Sequence, residues 1–256
     1  VLDQGAWSVE PDGRLLMPGA ITTIGPGAFV ECLRPVADGF PALSSLALNQ
    51  GLLTLSGALD QPITNQGRVR IGGNEDVTIP GSIINEESDV PSVLGEIEGV
   101  LELADGGVVV PRLVTPVVMN AGRITPGGGA AFWTVAITGD LVQEPEGIIT
   151  IDADGPVADV LDVDGNVTLD GTLELVWLNA EPPTVGAEIT VLTATGTIGG
   201  TFDDVVGPGG WQVTVTLHHD QQGRTRLLDI VPGFDEGRLY GLAIDLGSTT
   251  IAAHLT

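Results

Sequence analysis

"NQGLLTLSG" occupies Asn49 to Gly57, and "NQGRVRIGG" occupies Asn65 to Gly73, so the second copy starts 16 residues after the first. Each has an Asn, a Gly two places on, a short alternating apolar run and a closing Gly. "NAGRITPGG" (120–128) repeats the form closely, and "EGVLELADGG" (98–107) and "DGNVTLDG" (164–171) echo it more loosely. A short strand that ends at an Asn or Gly turn and returns at about this interval is one face of a coil. No single coil can bury its own apolar side, so successive coils must stack. Asn and Gly are expected at left-handed corners, where strands change face. This reading predicts an all-β right-handed β-solenoid. A β-sandwich with Gly/Asn hairpins is the alternative.

The surrounding chain agrees. Its 37 Gly and 17 Pro leave few stretches able to propagate a helix. Runs of strand chemistry recur between turns: "DVTIPGSII", "AFWTVAIT", "GIITID", "GNVTLDGTLELVWL" and "AEITVLTATG". Only residues 37–48 show helical spacing, and Pro41 interrupts them. Residues 1–205 form the solenoid, 206–210 a Gly/Pro linker, and 211–256 a tail of different character. Within the tail, strands are expected over 211–218 and 225–231.

Bulk chemistry narrows the partners. The chain has 256 residues, 9 basic against 34 acidic, and a net charge of −25. Every basic residue is arginine. Such a surface argues against nucleic acid and against anionic membranes, because both need clustered cations. The same charge attracts cations and aids solubility. Cys32 is the only cysteine, which excludes an intrachain disulfide, a thiolate zinc site and a cysteine-ligated iron–sulfur cluster. No run approaches the ~18 apolar residues that span a bilayer. The sequence opens at Val1 without a charged leader, as in a mature chain or a fragment.

Four groups of residues carry candidate chemistry. Asp152, Asp154, Asp159, Asp162, Asp164 and Asp170 cluster in sequence. Carboxylates on adjacent coils could bind calcium, which makes Asp152, Asp154, Asp162 and Asp164 the candidate ligands. Solvated turn aspartates are the other reading, since Gly165 falls one place early for an EF-hand loop. His218 and His219 are neighbours on a strand, point to opposite faces and cannot chelate together. Asp/Glu pairs for polysaccharide cleavage have no distinctive spacing. The closing "YGLAIDLGSTTIAAHLT" (240–256) sets Asp-Leu-Gly-Ser-Thr-Thr between two apolar runs. In a phosphate hairpin of this form Gly247 would admit backbone N–H groups to phosphate oxygens, Ser248, Thr249 and Thr250 would add hydroxyls, and Asp245 would sit near a metal or its bound water.

Two resemblances follow from these residues. "GTLEL" (171–175), the turn at Pro183–Gly186, "EITVLTA" (188–194) and "GTIGGTF" (196–202) resemble the terminal rungs of autotransporter-type passenger proteins and related surface β-solenoids. That resemblance implies a right-handed β-helix, an extracellular or cell-surface location, and a structural or adhesive role without catalysis. A surface or carbohydrate ligand would be its partner. Residues 211–256 resemble the entry to the ATPase domain of reductive activators of corrinoid proteins, in the actin and hexokinase superfamily. This second likeness implies a cytoplasmic, ATP-dependent protein. Its second phosphate loop and adenosine motif have no counterpart before Thr256, and its iron–sulfur cysteines are missing.

Overall fold

The computed structural model describes residues 1–9, 14–32, 40–55, 58–71, 77–79, 83–85, 100–102, 112–126, 132–155, 157–178, 189–207, 212–219 and 225–231. They form a β-solenoid with three faces, here I, II and III. Face III stacks Leu52–Leu55, Arg68–Ile71, Val100–Glu102, Arg123–Thr125, Ile148–Asp154, Thr172–Trp177 and Asp204–Val206, each parallel to the next. Face II stacks Leu48–Asn49, Ile63–Asn65 and Ile83–Asn85, then the second halves of Arg112–Asn120 and Thr134–Gln143, then Val167–Leu169 and Ile198–Gly200. Face I stacks Val77–Thr78, the first halves of the same two long strands, Val160–Asp164 and Leu192–Ala194.

The first coils bend one continuous strand across two faces. Thr23–Cys32 pairs with Leu48–Asn49 on face II and with Leu52–Leu55 on face III, and Leu2–Val9 lies parallel along its other edge. Parallel stacking is incompatible with the sandwich alternative. Among the described residues, antiparallel pairing is confined to the small hairpin of Ile148–Asp154 with Val157–Ala158 and to the tail. In the tail, Gln212–His219 pairs with Thr225–Val231, close to the strands expected from sequence, and Thr225–Val231 docks antiparallel on Leu192–Ala194. The helical spacing near residue 40 resolves as a 3-10 turn, Pro41–Ser45. Its proline sits at the start, where no N–H is needed.

Alternation builds the core. On face III, Val30, Leu53, Val69, Ile124, Ile149 and Leu173 share one inward column and are all essentially buried. Each such side chain contributes about 1.5–3 kcal/mol by leaving water. At the intervening position, Glu31, Arg70, Thr125 and Glu174 are partly exposed.

The corners differ. At the corner between II and III, Asn49, Asn65, Asn85 and Asn120 stand one above the other and are completely buried, with Gln143 next in the stack. Each Nδ2 donates to the carbonyl oxygen of the following side chain. The distances are 2.8 Å for Asn49 to Asn65, and 2.7 Å for Asn65 to Asn85, Asn85 to Asn120 and Asn120 to Gln143. The remaining donor capacity meets backbone carbonyls, such as Gly51 and Arg68 from Asn49. This corrects the expectation of left-handed Asn corners. The Asn residues are strand residues whose carboxamides point inward and replace the backbone pairing that the bend interrupts. The accompanying glycine has a different cause as well. Gly67 has no positive φ, but a Cβ there would collide with the backbone of Gly51 in the coil before. At the corner between I and II, Gly139 does take a positive φ (133°), closing the bend against Thr115.

Candidate functional site

Outward polar residues line up across coils as the inward ones do, because the parallel register sets like positions together. On face I, Asp162 accepts a hydrogen bond from Thr193 and Asp164 accepts one from Thr195 at 2.9 Å. At the following corner Asn166 Oδ1 accepts from Thr197, through its hydroxyl at 3.0 Å and its N–H at 3.1 Å. The Asn166 N–H donates to Asp140 at 2.7 Å. On face III, Arg123 donates to Thr150 and pairs with Glu174, spanning three coils, while Thr150 donates to Glu174 at 3.0 Å. Partial burial disfavours ionisation of Glu174. The hydrogen bond and charge of Arg123, with the Thr150 hydroxyl, outweigh that effect and hold its carboxyl below the usual range.

The most unusual carboxylate lies where face III passes to face I. Asp159 is completely buried at the foot of the Ile148–Ala158 hairpin. One of its oxygens accepts the Trp133 N–H at 2.8 Å, and the other accepts the Asp152 N–H at 3.3 Å. Its own N–H donates to the Asp152 carbonyl at 2.8 Å, and Val160 N–H donates to the Trp133 carbonyl at 2.8 Å. Three chain segments are thus tied at one carboxyl group. Burial pushes this carboxyl up to about 6, against the pull of the two N–H donors, and the nearby charge of Asp152 adds to the rise.

The candidate calcium ligands are divided by the fold. Asp152 and Asp154 belong to a face III strand, and Asp162 and Asp164 to a face I strand, where both bond threonines. Among the described residues no group of three or more His, Cys, Asp or Glu is placed to hold a metal ion. Asp170 bonds the N–H of Gly171 at the corner between II and III. His218 and His219 occupy successive positions opposite Arg226 and Thr225. Asp245, Gly247, Ser248, Thr249 and Thr250 lie outside the described residues, as does the turn at Pro183–Gly186.

Sequence reasoning missed two members of the amide stack, Asn85 and Gln143. The repeat it used required Gly two places after Asn, and these residues are followed by "EES" and "EPEG". The shorter signal "apolar-x-Asn/Gln" at a strand end, as in "ITN", "IIN", "VMN" and "LVQ", finds both. No helix among the described residues is long and apolar enough to cross a membrane. No protein-family model matches the chain, and no curated protein matches it.

Proposed function

We propose that this chain is a structural or adhesive module of an extracellular or cell-surface protein, without chemistry of its own. One observation supports this above others: among the described residues, the outward carboxylates, hydroxyls and the Arg123 guanidinium are taken up by bonds to one another between coils. Catalysis requires groups aimed at a shared reacting atom. Ladders of this kind instead stiffen a stack and present flat, repetitive faces to a surface or a carbohydrate. Asp159, the one strongly perturbed carboxyl among the described residues, has both oxygens occupied by backbone donors and is buried away from a substrate.

The test pairs two assays on the whole chain. A panel of polysaccharides is examined for co-sedimentation and for new reducing ends, and Mg-ATP is titrated by calorimetry. The expected outcome is retention on a polysaccharide, or none, with no new reducing ends and no heat of nucleotide binding. New reducing ends would replace this function with a polysaccharide-active one. Mg-ATP binding abolished by Asp245→Ala would replace it with the ATP-dependent one.

A further inference from the structure

Among the described residues, the two ends of the solenoid have unpaired strand edges on the same two faces. At the amino-terminal end, Leu2–Val9 runs along faces II and III and pairs only with Thr23–Cys32 among the described residues. At the other end, Ile198–Gly200 closes face II and Asp204–Val206 closes face III, and neither has a further strand partner among the described residues. Face I is different, because Thr225–Val231 already covers Leu192–Ala194. The first strand therefore spans the two faces that end unpaired at the last coil among the described residues, and it lacks the third face, which is covered there.

The registers also correspond. Following the pairs along face III, Ala6, Phe29, Leu52, Arg68, Val100, Arg123, Ile148, Thr172 and Asp204 hold one position, and Trp7 and Val205 hold the next. That second position is the inward column described above. Val30, Leu53, Val69, Ile124, Ile149 and Leu173 are buried there, yet Trp7 and Val205 are only partly buried against the core. Val1 (70% exposed), beside the first strand, and Val206 (43%), in the last, are exposed apolar residues at the two ends. Unpaired strand edges beside uncovered apolar side chains are templates for further pairing.

We propose that the ends form a heterologous self-association surface: Leu2–Val9 of one copy adds in parallel to Ile198–Gly200 and Asp204–Val206 of a second copy, with Trp7 stacked on Val205. This contact does not close on itself, so it generates open rows of copies rather than a dimer. Charge sets its conditions. Asp3 is exposed at one end, Asp203 and Asp204 are exposed at the other, and the whole chain carries −25. Repulsion opposes stacking in dilute salt and fades as the screening length falls from about 10 Å at 0.1 M to about 3 Å at 1 M.

Mass is measured by light scattering across that salt range for the whole chain and for two variants with unchanged far-ultraviolet circular dichroism. Ala6→Asp sets a charge against Asp204 of the neighbour, and Val206→Asp sets one beside Glu31 at the position facing Ser8. The unmodified chain is expected to grow into species larger than dimers as salt rises. Each variant alone should associate at least about tenfold more weakly, given the cost of facing like charges. An equimolar mixture should then stop at dimers, since each variant keeps one good end. The double variant Ala6→Asp with Asp204→Lys should regain association, most strongly in low salt. Persistent monomers in high salt, variants that associate like the unmodified chain, or dimers of a single variant would each overturn the proposal.

Discussion

The corner between faces II and III and the corner between faces III and I solve the same problem in opposite ways. Both must bend a strand without abandoning its polar groups inside the protein. At the first, neutral carboxamides are stacked, and those inside the stack each give one hydrogen bond to the next coil and receive one from the coil before. At the second, one carboxylate gathers two N–H groups beneath a hairpin, and burial makes its charge costly. The stack repeats because it is neutral and carries both donor and acceptor. Among the described residues the carboxylate joint occurs once, and a neighbouring copy would place like charges together in a poorly solvated corner. Repetition thus selects for side chains that satisfy their own kind.

Breaking the stack in its middle is expected to have the largest effect. Asn65→Leu removes, in a buried corner, an acceptor of the Asn49 Nδ2, a donor to the Asn85 Oδ1, and the bonds of Asn65 to the Gly67 carbonyl at 3.1 Å and from the Gly67 N–H at 3.3 Å. Unmade buried hydrogen bonds cost about 1–3 kcal/mol each, so a loss of about 3–5 kcal/mol is expected by urea denaturation. A loss below 1 kcal/mol would show that the stack contributes little.

The carboxylate joint answers to pH. Its folded value near 6 lies above the ordinary aspartate value of 3.8, so the folded chain holds this proton more tightly than the unfolded one. The resulting stabilisation is complete below about pH 3.8 and is lost as pH rises through about 6. Its size is on the order of 2 kcal/mol. Other carboxyls titrate in the same window, so the measurement is a difference: stability of the unmodified chain minus that of Asp159→Asn, from pH 4 to pH 7. That difference should fall with rising pH, and a flat line would remove Asp159 from the account.

The end of the stack offers the smallest effect. Gln143 stands opposite Leu169, one place past the Val142–Thr168 pair, and its Nε2 has no hydrogen-bond partner. Leu169→Asn exchanges apolar burial for an acceptor at that donor. The net change is expected within about 1 kcal/mol of zero, whereas Leu169→Ala should cost about 2–4 kcal/mol. Equal losses in the two variants would mean that no bond to Gln143 forms.

Much of this architecture was legible before any coordinates. The Asn49, Asn65 and Asn120 motifs mark one corner of three coils, and the 16-residue step between the first two is the length of a coil there. What they do at that corner was not legible, because strand-to-strand hydrogen bonding depends on register, which local sequence does not state. The joint between faces III and I was hidden for a related reason. Asp159 looks like any other turn aspartate in "ADVLDVDG", and its burial follows from Trp133 and Asp152, residues brought in by the neighbouring segments. The same limit separated Asp152 and Asp154 from Asp162 and Asp164, near in sequence but set on different faces.

The carboxamide stack also bears on how such a chain can change its length. An inserted coil ending in Asn brings an acceptor for the coil before it and a donor for the coil after it, so both new boundaries are already complementary. Duplicating or deleting a unit such as residues 49–64 therefore requires no compensating change elsewhere in the corner. A gene encoding this fold can lengthen or shorten its product by whole coils, and the amide at each strand end works as a universal coupling.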